Sequence, residues 1–166
     1  MMQIRAESPA DMGAIEAVTV AAFRHAEHTS HTEQFIVRAL RDSGQLVISL
    51  VAEEGDSIIG HVAVSPVTID GASCDWYGLG PISVLPAHQG RGVGSRLMRD
   101  ALARLQALGA AGCVVLGDPG YYQRFGFAPS TLVLPGVPPR YFQSLCFKQP
   151  VPSGSVEYHA SFDATA

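Results

Sequence analysis

The sequence predicts an α/β (α+β) chain built on a mixed, mostly antiparallel sheet of about six to seven strands flanked by about four helices. Three observations carry this. Residues 46–52, 57–69 and 72–79 are largely apolar runs separated by turn signals at Glu54-Gly55-Asp56 and Asp70-Gly71, and Asp-Gly between apolar runs marks a tight antiparallel hairpin. Residues 79–84 lead through a glycine-rich turn into a segment of helical period, and the run Cys113-Val114-Val115-Leu116 beyond it reads as a strand buried on both faces. A right-handed crossover lays that strand parallel to residues 79–84. Two shorter segments of helical period precede the first hairpin.

In chain order, Gln3-Ile4-Arg5-Ala6 reads as a short first strand. Ser8-Pro9-Ala10-Asp11 supplies an N-cap, a proline at the first helical position and a first-turn acid. Met12, Ile15, Val18, Ala22 and Phe23 give that helix its apolar face, and it ends near Phe23 or Arg24. A polar link containing His25, His28 and His31 leads to a second helix over residues 32–42, with Phe35, Ile36, Ala39 and Leu40 inward and Gly44 as its stop. The three histidines invite a metal site, but no carboxylate or thiolate is placed to complete one, and a solvated link explains them equally.

After the three-strand meander, Val93 opens a helix with Leu97, Met98, Ala101, Leu102, Leu105 and Leu108 on one face and Arg96, Arg99, Asp100 and Arg104 on the other; Gly109 is its stop. Asp118-Pro119 begins a short helix that Gly126 ends. Residues 130–137 form a strand candidate broken by Pro135-Gly136, and residues 138–147 look irregular, with Tyr141, Phe142, Leu145 and Phe147 apolar. Residues 155–161 read as a last strand.

Composition narrows the class. At 166 residues and 47% apolar content the chain is one domain, residues 1–166, with its core in 3–137 and a C-terminal strand and loop region in 138–166. No apolar run approaches the length that crosses a bilayer, and the N-terminus has no apolar signal core, so a cytoplasmic protein with no membrane partner is expected. The net charge of −4 argues against nucleic acid as partner. Cys74, Cys113 and Cys146 are widely spaced, which implies neither a disulfide framework nor a zinc site.

The glycine-rich turn is the informative stretch. Gly90, Gly92 and Gly94 alternate within Gln89-Gly90-Arg91-Gly92-Val93-Gly94-Ser95, which lets the backbone approach a ligand and turn successive N–H groups toward an anion at a helix N-terminus. A pyrophosphate fits such a cradle. The Walker pattern is excluded because Gly94 is followed by Ser95-Arg96 with no Lys in the loop, and the dinucleotide fingerprint is excluded by glycine spacing. What remains, Gln-x-x-Gly-x-Gly after a strand, resembles the acetyl-CoA signature of the GNAT N-acetyltransferase superfamily. A second motif falls where that family puts it: Tyr122-Gln123-Arg124-Phe125-Gly126-Phe127 is similar to the family's Tyr-x-x-x-Gly-Phe. The resemblance covers residues 4–127, and the C-terminal part resembles the YhbS-type branch of predicted acetyltransferases.

The resemblance implies a GNAT fold with two parallel strands splayed at a cofactor cleft, acetyl-CoA as cosubstrate, no metal, and direct attack of a primary amine of a small molecule or peptide on the acetyl carbonyl. It implies that the pyrophosphate sits on the N–H groups of Gln89, Gly90, Arg91, Gly92, Val93, Gly94 and Ser95, and that the pantetheine arm pairs with the edge of Ile82, Ser83 and Val84. Gly80-Pro81 is the bulge site that would free that edge, and Arg91, Arg96 and Arg124 are candidates for the remaining phosphate charge. A backbone N–H of Ile82 or Val84 is the candidate oxyanion donor, Tyr122 the general acid, with Tyr121 as a packing residue, and Glu33 a candidate base. Where many members carry an Asn before the short helix this chain has Gly117-Asp118, so contacts of that Asn are not carried over. Two alternatives stay open: a non-catalytic acyl-CoA-binding module, and an acyltransferase using a longer acyl-CoA. Family members are often homodimers, but the sequence marks no interface.

Overall fold

A computed structural model describes residues 1–26 and 29–166. The main sheet runs β1 (Met2–Ala6), β2 (Ile48–Glu54), β3 (Ser57–Ile69), β4 (Ala72–Val84), β5 (Gly112–Leu116) and β7 (Phe142–Cys146), with β6 (Leu132–Val133) paired to β8 (Gly154–Tyr158) and β8 paired to the far half of β3. All eight strands thus join one network, one more than the upper sequence expectation. Four helices flank it: α1 (Met12–Phe23), α2 (Glu33–Asp42), α3 (Val93–Ala107) and α4 (Pro119–Tyr122).

The meander forms as its turns dictate. Asp70 and Gly71 have φ of 51° and 81°, the two left-handed residues of a tight hairpin whose twist matches its strands. The Asp70 carboxylate accepts from the Ser155 N–H at 2.9 Å, which fastens β8 to this turn. On one face α3 lays Val93, Leu97, Met98, Ala101 and Leu105 over Leu50, Val62, Val64 and Leu79. Burying such side chains contributes about 1.5–3 kcal/mol each. On the other face Val51 meets Ile15 of α1 and Val37 of α2, and Trp76, Val114, Phe142 and Val156 form a second cluster.

Several sequence expectations are corrected. Strand β4 is continuous from Ala72 to Val84, and its parallel pairing with β5 is not with residues 79–84 but with Trp76, Tyr77 and Gly78, opposite Gly112, Cys113 and Val114. Val62 pairs with Ile82 and Val64 with Leu79, so Gly80 and Pro81 together oppose Ala63. This bulge, at a proline with no N–H to give, bends β4 away from β5. Residues 142–146 are a strand, not an irregular stretch, antiparallel to β5. Leu108 is 59% exposed, because it lies past the end of α3, and Val37 rather than Phe35 or Ala39 joins the fully buried set of α2. Of the three histidines of the polar link, His28 lies outside the described residues. Among the described residues no group of three His, Cys, Asp or Glu is placed to hold a metal, and no helix is long and apolar enough to cross a membrane.

One polar group is buried deeply between the sheet and α1–α2. His61 of β3 has no exposed surface, and its Nε2 lies 2.8 Å from Ser49 Oγ. Ser49 donates its single hydroxyl proton to Glu7, whose carboxylate is also held by Arg41 at 2.8–2.9 Å. Ser49 Oγ must therefore accept from His61, which fixes the Nε2–H tautomer. Burial pushes the His61 pKa from 6.5 down to about 4, against the pull of Glu7. The folded state thus binds this proton less well than the unfolded chain, so stability is full above pH 6.5 and is lost as pH falls toward 4. The melting temperature is expected to fall over that window, and His61→Gln is expected to flatten the fall; a pH profile identical in the two proteins would contradict this.

Candidate active site

The bulge creates the site. Among the described residues, the outer edge of β4 has no partner strand beyond Gly78. The Leu85 N–H donates to Ile59 O at 2.9 Å, and N–H groups alternate sides along a strand. The N–H groups of Ile82 and Val84 therefore point away from β3, into the gap that β5 has left. The Val84 carbonyl, on the same side, accepts from Gln89 Nε2 at 3.1 Å, so the Gln89 side chain ties the end of β4 to the loop that follows. Ser83, between them, faces the other way and is 2% exposed.

That loop ends in the glycine turn. Gly90 and Gly92 have φ of 74° and 82°, a left-handed conformation that costs L-residues strain. Among the described residues, the N–H groups of Gly90, Arg91, Gly92, Val93, Gly94 and Ser95 donate to no backbone or side-chain acceptor; the first helical bond is Arg96 N–H to Gly92 O at 3.1 Å. Unpaired donors at the positive end of a helix of this length can hold an anion.

A cleft of about 470 Å³ joins the two features, lined by Ile82 and Val84, by residues 88–90 and 92–95 of the loop and helix start, by Tyr121 and Arg124, and by Ala22, Phe23 and Ala26 at and just past the end of α1. The Arg124 guanidinium stacks on the Tyr121 ring at 4.7 Å. A side chain at Gly94 would put its Cβ 3.1 Å from the Tyr121 hydroxyl. Tyr121 thus walls the cleft, where the sequence reading had it as packing. The α1 end was not foreseen, since nothing in Ala22-Phe23 distinguishes a cleft wall from an ordinary apolar face.

Tyr122 is not among the residues lining that cleft. Its ring lies on Gly117, just past β5, where a Cβ would come within 2.8 Å of it, and packs edge-on against Tyr121 and Phe127 at 5.1 and 6.1 Å. Both tyrosines are aimed by α4, whose start is set by the Gly120 N–H donating to the Asp118 carboxylate at 2.9 Å. Burial raises the Tyr122 pKa to about 12, with smaller pushes from Tyr121 and Asp118. Glu33 lies apart from the cleft lining, at the start of α2; one carboxylate oxygen accepts from Thr29 Oγ1 at 2.5 Å and the other is buried with no partner among the described residues. Arg91 lies against His88 Nδ1 at 3.2 Å, and Arg96 reaches back to Met2 O at 3.3 Å. Of the three candidate arginines only Arg124 lines the cleft.

This strand, loop and helix fall within residues 45–129, which match the family model described as the acetyltransferase (GNAT) domain. The chain belongs to the GNAT acetyltransferase family. Its GNAT relatives include YhbS of Escherichia coli strain K12, described as an uncharacterized N-acetyltransferase, which is 38% identical over 127 residues, 76% of this chain and 73% of that protein. A GNAT acetyltransferase from Brucella melitensis, solved in complex with acetyl-CoA, superposes with a TM-score of 0.89 at 51% identity over 98% of this chain and 99% of its own. The Escherichia coli YhbS structure, a complex with CoA, gives 0.88 at 34% identity over 99% and 93%.

Proposed function

We propose that the chain acts as a single domain that uses acetyl-CoA to acetylate a primary amine of a small molecule or peptide. The observation that carries this reading is the juxtaposition of the unpaired β4 edge at Ile82 and Val84 with the six unpaired N–H groups of the glycine turn. A pyrophosphate on the turn and a pantetheine arm laid along the edge as an added strand meet both sets of donors. Arg124 supplies positive charge at the mouth. The solved complexes of the Brucella and Escherichia relatives with acetyl-CoA and CoA support it.

In this reading the acetyl carbonyl lies in the gap between β4 and β5. A neutral amine attacks it, the C–N bond forms, and the oxyanion that develops is met by the N–H of Ile82 or Val84. The carbonyl then re-forms as the C–S bond breaks, the departing sulfur takes its proton from Tyr122, and the extra proton on the attacking nitrogen leaves to solvent, from which the phenol is restored. With a pKa of about 12 the phenol is protonated throughout the neutral range. Glu33, through its unpartnered carboxylate oxygen, is the candidate to accept the proton of an incoming ammonium.

The experiment is thiol release from acetyl-CoA in the presence of a panel of primary amines, polyamines and peptides. Amine-dependent release and an acetylated product by mass spectrometry are expected. A protein that binds acetyl-CoA but acetylates no amine in the panel would favour the non-catalytic binding module instead.

A further inference from the structure

Tyr158, the last residue of β8, lies where β4 and β5 part. Gly78 is the last β4 residue paired with β5, opposite Val114. A Cβ on Gly78 would collide with the Tyr158 ring, 2.9 Å from Cδ1 and closer still to Cε1. The ring therefore occupies the space that a side chain at residue 78 would take. It is fixed from two sides: β8 pairs Tyr158 with Val67 of β3, and the Phe162 ring lies against it, tilted by 46° with centroids 4.8 Å apart. From Gly78 the phenol extends toward β5. Burial raises its pKa above the usual phenol value. The side chain is partly buried and packs against the cluster of Val67, Trp76 and Val114, where β4 and β5 part.

We propose that Tyr158 is the floor of the acyl pocket and confines this enzyme to short acyl groups. The inference rests on the acetyl-CoA reading of the cleft. A thioester held at Ile82 points its acyl group down the gap toward Gly78, four residues of strand or about 13 Å away before the bulge shortens it. A short chain ends within that space. A ten-carbon chain meets the Tyr158 ring, which Phe162 and Val67 prevent from moving aside, and forcing extra methylenes into a filled site displaces side chains and backbone.

The test is isothermal titration of the protein with CoA, acetyl-CoA and decanoyl-CoA, with Tyr158→Ala and Tyr158→Leu each referred to its own CoA affinity. The wild type is expected to bind acetyl-CoA more tightly than decanoyl-CoA by at least about tenfold, with the ratio falling to about threefold or less in Tyr158→Ala and to an intermediate value in Tyr158→Leu. A second measurement needs no variant: with ring-labelled tyrosine, the Tyr158 resonance is expected to differ between the CoA and decanoyl-CoA complexes. Equal binding of the two acyl-CoAs by the wild type, unchanged discrimination in a cooperatively melting Tyr158→Ala, or an identical Tyr158 resonance in the CoA and decanoyl-CoA complexes would overturn the inference alone. A wild type that binds neither CoA nor acetyl-CoA would overturn the acetyl-CoA reading and this inference with it.

Discussion

Tyr122→Phe is expected to lower kcat for acetyl transfer by about a hundredfold to a thousandfold and to move KM for acetyl-CoA far less. The reason is positional. The ring is pinned on Gly117 at the end of β5 and braced by Tyr121 and Phe127, so phenylalanine keeps every packing contact and loses only the hydroxyl, the group proposed to protonate the departing sulfur. Because the phenol pKa is about 12, the ratio of wild-type to variant rates should stay constant from about pH 6 to pH 9. A ratio that changes across that range would assign the acid to another group. Tyr121→Phe provides the contrast. Its hydroxyl faces Gly94 and its ring carries Arg124, so its loss should appear in KM for acetyl-CoA rather than in kcat.

Gly92→Val combined with Gly94→Val is expected to weaken acetyl-CoA binding by at least about a hundredfold in titration calorimetry. At Gly92 the φ of 82° forces a β-branched residue into the left-handed region at a cost of about 1–3 kcal/mol, and the turn relaxes by rotating the peptide groups whose N–H donors are unpaired. At Gly94 the new Cβ arrives 3.1 Å from the Tyr121 hydroxyl and pushes against the cleft wall. A Cβ at Gly92 would meet nothing within 4 Å, and one at Gly94 would meet only the Tyr121 hydroxyl and, at an ordinary 3.8 Å, Val84. The variant should therefore melt cooperatively while failing to bind. Retained binding in a folded variant would remove the glycine turn from the account.

The elements with strong local signals were legible from the residues alone. Asp70-Gly71 adopts the left-handed pair that its chemistry demands, α3 buries the stripe its 3.6-residue period presents, and Asp118 caps α4. What the sequence hid was set by tertiary contacts. Strand β7 escaped notice because Gln143 and Ser144, 1% and 8% exposed, are buried polar residues that break the apolar run. The Gly80-Pro81 bulge was read from the sequence and the register bears it out, but nothing in the sequence said that Gly78 is where the Tyr158 ring rests. Thr19 is fully buried on α1 because its hydroxyl returns to Ile15 O at 2.7 Å, which hydropathy does not register. Within the site, the order of residues could not say which of two adjacent tyrosines walls the cleft, because that depends on the rotation of α4 about its Asp118 cap. Nor could it say that only Arg124 among three candidate arginines reaches the cleft.

The measurement that tests the central claim most directly is an amide NMR titration of the uniformly labelled protein with acetyl-CoA. The account predicts saturable shifts concentrated at Ile82, Val84 and Gly90 through Ser95, the donors left without partners in the fold. Shifts confined to the groove of about 190 Å³ between α1 and α2, lined by Met12, Glu16, Gln34 and Arg38, or no shifts at all, would contradict it.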